Sequence, residues 1–549
     1  MQVQVSENSG LAGGGDRHYD LIVVGSGMGG LTVASLMAQL RGKRVLVLER
    51  HFKPGGFTHT FKRQQFHWDV GLHYVGQMGE GNSTRQVFDL MTQQNVQWNR
   101  MPEPFERFIY PEMIFDLYGD PQRFQADLVA KFPQEKRAIQ RYFRDLPKAA
   151  AALFLRNLRL NGNWFFQLGS YLGQWWSGID LNLTTQQYLD RYFTNPQLKA
   201  LLVSQWGDYG LPPALSPFAV HATVVLHYLN GGYYPVGGAG AIAQSVQAIV
   251  EKLGGQFLVN REVMQIIVEN GRAVGVQVRK VNAPAENEET YYAPVIVSDA
   301  GAANTYLKLI PSDYPIPFRE SLRQFVQKHS SITNVTLYLG LSKDPRMFGF
   351  RGENHWFYEG IDHNATYQKR QQWITAERVP QCYLSFPSLK DPQARVHTAE
   401  IIAFVSYDTF QPWQTQPWLH RDEEYQRLKS RISQMLIAEV ERHYPGFTNL
   451  IAFHELSTPL TNEHFTAHVK GGIYGLPAVP EKFVPENAGW TKVKTPLPGL
   501  YLTGADLYMG GIVAAMMAGV TTLSCLPDGI SLPQIFAIAA QRSKPVLNQ

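Results

Sequence analysis

The chain has 549 residues, 44% of them hydrophobic, which is enough for a large core and more than one domain. A formal charge of +4 is too weak to argue for a nucleic-acid partner, and two cysteines, Cys382 and Cys525, are too few for a disulfide framework or a cysteine metal centre. Sixteen histidines show no metal-ligand spacing, so no metal is expected and a reducing, cytoplasmic setting fits best. Residues 1–18 are polar and glycine-rich, lack the basic and apolar blocks of a signal peptide, and read as a disordered tail.

The first ordered stretch is predicted from Tyr19 to His73. A strand, Asp20 to Val24, runs into the loop Gly25-Ser-Gly27-Met28-Gly29-Gly30. An apolar helix from Leu31 to about Leu40 follows, then a second strand, Arg44 to Glu49, that ends on an acid. This is a dinucleotide fingerprint in its strand–loop–helix–strand context. Gly25 serves the tight turn, Gly27 leaves room for a pyrophosphate, and Gly30 lets the helix sit close on the strand. The N–H groups of the first helical turn and the helix dipole favour phosphate charge. Glu49, 24 positions after Gly25, suits ribose hydroxyls and disfavours a 2′-phosphate, so FAD or NAD fits better than NADP.

The residues that follow narrow the choice. His51-Phe-Lys-Pro-Gly55-Gly56-Phe57-Thr58-His59-Thr-Phe and Asp69-Val-Gly71-Leu-His73-Tyr74-Val-Gly76 resemble the flavoproteins of the phytoene desaturase, carotenoid isomerase and retinol saturase family, nearest the retinol saturase branch. The resemblance implies an α/β fold: an FAD/NAD(P)-binding Rossmann-like domain with a discontinuous α+β substrate domain, as in amine oxidases and phytoene desaturases. It divides the chain into 19–94, 231–301 and 488–530 for FAD, and 95–230 and 302–487 for a substrate and membrane-facing domain. Residues 531–549 are read as a C-terminal tail.

Further along, residues 95–230 are rich in proline, glutamine and aromatics and read as mainly helical. Within them, 150–183 mixes arginines with Leu153, Leu160, Trp164, Phe165, Phe166, Tyr171, Trp175 and Trp176. Two readings stand: a helix lying in a bilayer interface with guanidiniums at headgroups, or an ordinary helical cap over the core. The glycine turn Gly231 to Gly240 returns the chain to the cofactor domain. Glu262 to Glu269 and Arg272 to Val278 form a hairpin about Asn270-Gly271, followed by an exposed loop, 282–290, and a strand ending at Asp299. Thr333 to Leu341, Tyr383 to Asp391 and Ala399 to Tyr407 suggest a sheet whose apolar face floors a long pocket. Arg421 to His443 is an amphipathic helix, and 510–526, the one apolar run near membrane length, reads as a buried helix.

The chain closes on Leu-Thr503-Gly504-Ala505-Asp506, then Met509-Gly510-Gly511-Ile512. In the family this is a second cofactor fingerprint: the Asp holds the ribityl and pyrophosphate, and a helix N-terminus faces the flavin pyrimidine. The resemblance therefore implies FAD held by Gly25, Gly27, Met28, Gly29, Gly30, Glu49, Arg50, Gly55, Gly56, Phe57, Thr58, the backbone near Val263, Gly504, Asp506, Gly511 and Ile512. It implies a polyene lipid substrate, a retinoid or carotenoid. No second complete nucleotide site is visible, so the electron donor stays open, with a transiently bound NAD(P)H among the candidates. Saturation of a double bond needs a proton donor, and His73 and Tyr74 are the first candidates, His59 the next. A structural, hydrogen-bonded role is the competing reading of each. Saturase, isomerase, desaturase and a non-redox prenyl-binding escort all remain compatible with the motifs.

Overall fold

Four consecutive buried residues, Leu21–Val24, form the middle strand of a five-stranded parallel sheet. Its order is Leu500–Leu502, Ile296–Ser298, Leu21–Val24, Val45–Leu48, Gln256–Leu258. The computed structural model describes residues 17–162, 178–281, 284 and 287–543. Continuous apolar strands are what a parallel sheet covered on both faces requires. The helix Met28–Arg41 packs against both Gly240–Lys252 and Ile512–Cys525. The second of these crossings is close: a Cβ on Gly519 would lie 2.6 Å from Thr32 Cβ and 2.8 Å from Gly29 O. The 510–526 run is thus a buried helix, as its small residues suggested, and among the described residues no helix is long and apolar enough to cross a membrane.

The predicted hairpin forms, Arg261–Glu269 against Arg272–Lys280, with Asn270 and Gly271 both at positive φ, as a tight hairpin turn demands. The loop expected over 282–290 is shorter than read: Glu288–Tyr292 adds a third antiparallel strand.

A seven-stranded mixed sheet carries the rest. Its order is Ile451–Ser457, Thr333–Leu341, His397–Val405, Gln381–Ser385, Asn354–Tyr358, Glu106–Tyr110, Met113–Leu117. The last two strands are the exception within 95–230, which is otherwise mainly helical as read: Glu106–Tyr110 joins its partner Asn354–Tyr358 from almost 250 residues away, and no local signal could declare it. One face of this sheet is apolar: Val335, Leu337, Leu339, Ile401, Ala403 and Leu384 form a core with Ile432, Leu436 and Val440 of the helix Glu423–His443. That apolar face is packed against this helix and does not carry the floor of the pocket beside the cleft. The opposite face does, and it bears Asn334, Thr336, Tyr338, Trp356, Tyr383 and Phe404. The strand alternation was read correctly and its burial inverted, because the amphipathic helix takes the apolar side.

Two further segments differ from expectation. Residues 532–542, read as tail, form the helix Leu532–Arg542, with a Ser531/Gln534 capping box and with Ile535 and Ala539 buried against Ser83–Thr92. In 150–183, residues up to Asn161 continue the helix Lys136–Asn161, but Arg156 is buried and its Nε donates to Phe483 O, so this guanidinium does not face outward. The tryptophans and phenylalanines expected over 164–176 lie outside the described residues, as do 1–16 and 544–549.

Candidate active site

The parallel sheet delivers three turns to one cleft. Val24 leads into Gly25 (φ +95°), Leu48 into Glu49, and Leu502 into Thr503 and Gly504 (φ +91°). The first and last of these turns touch: a Cβ on Gly29 would lie 2.5 Å from Gly504 N. The pair of glycines Gly55 and Gly56, both at positive φ, closes over the first turn, with a Gly56 Cβ 3.3 Å from Gly27 Cα. The cleft so enclosed is lined by Gly25, Gly27, Met28, Glu49, Arg50, Gly55, Gly56, Phe57, Thr58, Val263, Asp506, Gly511 and Ile512, all singled out in the sequence. Gly29, Gly30 and Gly504 sit behind it and serve close packing; a Cβ on Gly30 would meet Gly25 O at 2.5 Å.

The polar groups of the cleft are oriented before any ligand arrives. Glu49 accepts from Ser26 Oγ (2.6 Å), Ser26 N (3.0 Å) and His51 N (2.7 Å). Burial pushes its carboxyl up, and these three donors pull it back. Arg50 pairs with Glu262 at 3.0 Å and donates to His464 O. Asp506 binds Ala302 N (2.7 Å) through one oxygen and Leu476 N (2.6 Å) through the other, so it ties three loops together besides lining the cleft.

One residue was not anticipated. Asp299 follows the strand beside Leu21–Val24, and its carboxyl lies under both glycine turns. A Cβ on Gly27 would meet it at 2.5 Å and one on Gly504 at 2.2 Å. The lack of a side chain at Gly27 therefore also clears this carboxyl group. Burial pushes Asp299 up to about 7; the Gly30 and Gly27 N–H groups oppose, and the charges of Glu49 and Asp506 reinforce.

The cleft fits a dinucleotide such as FAD. Both helices that open on it, Met28–Arg41 and Ile512–Cys525, begin at a glycine that offers no side-chain cap. The first N–H groups of a helix have no partner within the helix, and a diphosphate and a flavin pyrimidine carbonyl are acceptors that suit them. At Gly511 (φ +107°) the space where a Cβ would stand is empty.

Two further cavities adjoin the cleft at Phe57, Gly71 and Tyr474. One lies on the polar–aromatic face of the seven-stranded sheet. The other runs under Lys136–Asn161 and Phe218–Tyr228, lined by Leu153, Val224, Tyr228, Met509, Val513 and Met517, and reaches the surface at Phe154, 44% exposed. His73, Asp208 and Tyr474 line both.

The three candidate proton carriers separate here. His59 lines the cofactor cleft and neither of these cavities; its Nδ1 is 2.6 Å from Gly56 O, its ring lies on His51, and burial lowers its basicity. It fixes the Gly55–Gly56 turn. Tyr74 lines the second cavity, stacks on Tyr228 at 4.3 Å and donates to Asp208 Oδ2 at 2.6 Å; burial first, then the Asp208 charge, raises its phenol far above the ordinary range. His73 faces both cavities, with Nδ1 2.8 Å from Glu400 Oε2.

Sequence reasoning also missed what lies beneath. Lys390 Nζ donates to His73 O (2.8 Å), Asn354 Oδ1 and Ser385 Oγ (2.7 Å). Glu106 accepts from Asn354 Nδ2 (2.9 Å) and Trp356 Nε1 (2.6 Å). Asp69 accepts from Tyr234 and from Ala239 N. Burial raises Asp69 to about 7, raises Glu106 and Asp208, and lowers Lys390.

Comparison with known proteins agrees with this geometry. Residues 23–91 match the NAD(P)-binding Rossmann-like domain. The chain is 32% identical to the all-trans-retinol 13,14-reductase of Danio rerio over 527 residues, 91% of this chain and 85% of that one. The human protein of the same name is 28% identical over 92% and 85%, and the prolycopene isomerase of Daucus carota 26% identical over 97% and 83%. Among solved structures, a putrescine oxidase variant superposes with a TM-score of 0.59 at 14% identity, covering 95% of this chain and 99% of that one. Cyclohexylamine oxidase from Brevibacterium oxydans gives 0.56 at 13%, covering 96% and 98%, and at such identities both speak to the fold alone. With the cleft, its two glycine turns and a relative above 30% identity along most of its length, the chain belongs to the retinol saturase and carotenoid isomerase family of flavin-dependent oxidoreductases.

Proposed function

We propose that the protein is an FAD-dependent oxidoreductase that reduces a C=C bond of a retinoid or carotenoid polyene, in the manner of an all-trans-retinol 13,14-reductase. The observation that carries this reading is the pair of cavities: an apolar passage from Phe154 leads past His73 and Tyr74 to Gly71 and Tyr474, where the cofactor cleft begins. FAD held along Gly25–Gly30, Glu49, Gly55–Thr58, Val263, Asp506 and Gly511–Ile512 would, once reduced, supply a hydride at the cavity end of the cleft. The chain's own residues do the rest. Leu153, Val224 and Met517 exclude water and accept an apolar chain. His73 is the group placed to give a proton, since Tyr74 already spends its hydrogen on Asp208 and burial holds its phenol protonated. The reductant for the flavin belongs to the same proposal, with a transiently bound NAD(P)H as the first candidate. So does peripheral membrane contact through 150–183, of which Ala150, Leu153 and Phe154 line the passage.

The test is anaerobic turnover with reduced flavin and a small polyene panel. Saturation shortens the conjugated system of retinol, shifts its absorbance to the blue and adds two hydrogens to the product mass. Unchanged spectra with retinol and several carotenoids would sink the reading. Prolycopene isomerase among the relatives favours one second reading, cis/trans isomerisation, which leaves the mass unchanged.

A further inference from the structure

Outside the cofactor cleft, a second group of buried ionisable side chains lies against the cavities. Four carboxyls, Asp69, Glu106, Asp208 and Glu400, share it with one lysine, Lys390, and one histidine, His73. A dry region does not hold four negative charges against one or two positive ones. Some of these carboxyls must hold protons, and the question is what the protons are for.

Three of the four carboxyls are accounted for by neighbours. Asp69 fastens Tyr234 and Ala239, Glu106 fastens Asn354 and Trp356, and Asp208 takes the Tyr74 hydrogen. Glu400 is different. It is fully buried, and among the described residues no donor is aligned on either of its oxygens. Its near contact is His73 Nδ1, 2.8 Å away but off the hydrogen-bond line. Strand register puts Glu400 opposite Tyr338 on one side and Ser385 on the other, on the face that lines the cavity. With Nδ1 turned to Glu400, Nε2 is the ring nitrogen left for the cavities that His73 lines.

Resting on the polyene reading above, we propose that Glu400 is a positioning residue that holds the His73 ring with a transferable proton on Nε2 toward the cavities, and that this pairing decides whether a polyene leaves saturated or only isomerised. Before transfer the His73 ring holds two protons, one on Nε2 and one on Nδ1, with a Glu400 carboxylate oxygen 2.8 Å from Nδ1. When a hydride adds to one alkene carbon, the π bond breaks and its electron pair is left on the conjugated chain. The Nε2–H bond then breaks and a C–H bond forms with that pair. The second proton stays on Nδ1, the imidazole is neutral, and Glu400 is left as a carboxylate. The Lys390 ammonium, held against Ser385 and the His73 carbonyl, is among the charges that act on it. A proton from water resets the pair. Without the proton, the substrate can only rotate about the broken π bond and return its hydride, which is isomerisation with no net redox.

Other groups face His73 as well: the Tyr383 ring at 5.6 Å, Asp208 across the shared cavities, and Lys390 at its carbonyl. None of them is shown in contact with Nδ1.

The test uses full-length FAD-loaded protein carrying ring-¹³C histidine, with His73 assigned by the signal missing in His73→Asn. Glu400→Gln is expected to lower the His73 titration midpoint by at least one pH unit. In anaerobic turnover it should cut saturated product at least tenfold relative to isomerised product, with FAD occupancy unchanged. An unchanged midpoint, or an unchanged product ratio, overturns the proposal. Should Glu400→Gln not fold, Glu400→Asp, which withdraws the carboxylate by one methylene, must still lower the midpoint. Should wild type saturate no polyene in the panel, the polyene reading fails, and the midpoint still decides whether the pairing exists.

Discussion

The cofactor cleft and the cavity beneath His73 are built in opposite ways. The cleft is made of backbone: Gly25, Gly55, Gly56, Gly504 and Gly511 all sit at positive φ, and two helix N-termini open onto it. The cavity is made of side chains on strands and helices far apart in sequence, where Glu106, Asn354, Lys390 and Glu400 meet. The turns of the cleft leave no room for added atoms at Gly27, Gly29, Gly30 and Gly504. A side-chain site has space around it and is costly wherever one partner of a charged set is removed.

Substitutions on each side test that contrast. The largest effect is expected from Gly29→Val. Its Cβ would lie 2.5 Å from Gly504 N and 2.8 Å from Asp299 Oδ1, so one of the two turns must move. FAD affinity should fall by about ten- to a hundredfold, read from flavin absorbance retained after gel filtration. Full retention would break the claim that the two turns clasp one ligand. Lys390→Met is the counterpart in the cavity. It leaves Glu106 and Glu400 without their buried cation and orphans Asn354 Oδ1 and Ser385 Oγ. Unfolding in urea should show a loss of about 3–5 kcal/mol with FAD affinity intact. A loss below about 1 kcal/mol would mean that the cavity carboxyls are neutral without help from this lysine.

The same contrast explains what could be read from the sequence. Glycine spacing encodes a local strand, turn and helix, and its constraint is steric, so the Gly25–Gly30 turn was legible from the residues themselves, while Gly55–Thr58 and Gly511–Ile512 were reached through the family resemblance. Asp299 was not, because its place under the turns depends on Ile296–Ser298 pairing with Leu21–Val24, a tertiary fact. Glu400 was hidden for another reason. In the alternating strand His397–Val405 a lone glutamate reads as solvent-facing, and only a sheet covered on both faces turns it inward. The tail helix Leu532–Arg542 did leave a signal, Ser531 with Gln534 ahead of Ile535 and Ala539, which the short apolar content masked.

A smaller effect, and one specific to side-chain construction, is pH dependence. Asp69 titrates at about 7 in the fold against an ordinary 3.8, chiefly through burial. A carboxyl raised by folding adds stability that is complete below its unfolded value and is lost as pH rises through its folded one. Asp69→Asn removes that loss. The stability of the variant relative to wild type should therefore climb between pH 4 and 7, by a few kcal/mol at most. Buried histidines such as His221 and His363, held near 3 and 4, work in the opposite sense in both proteins, so the difference between the two isolates Asp69. A flat difference would place the ionised carboxylate in the fold at neutral pH.

The smallest change in stability should come from Phe154→Ser, at the open end of the apolar passage. Phe154 is 44% exposed on a helix whose buried positions, Ala152, Leu153 and Arg156, lie on the other side. Removing an exposed aromatic leaves the core unchanged, so unfolding should shift by no more than about 0.5 kcal/mol. FAD affinity should stay as it is. What the ring does contribute is apolar surface at the threshold, where a lipid leaves one greasy environment for another. The variant should therefore raise the KM for a polyene presented in vesicles while leaving kcat alone. If kcat falls instead, Phe154 acts on the chemistry near His73, and the passage does not open where its exposed end indicates.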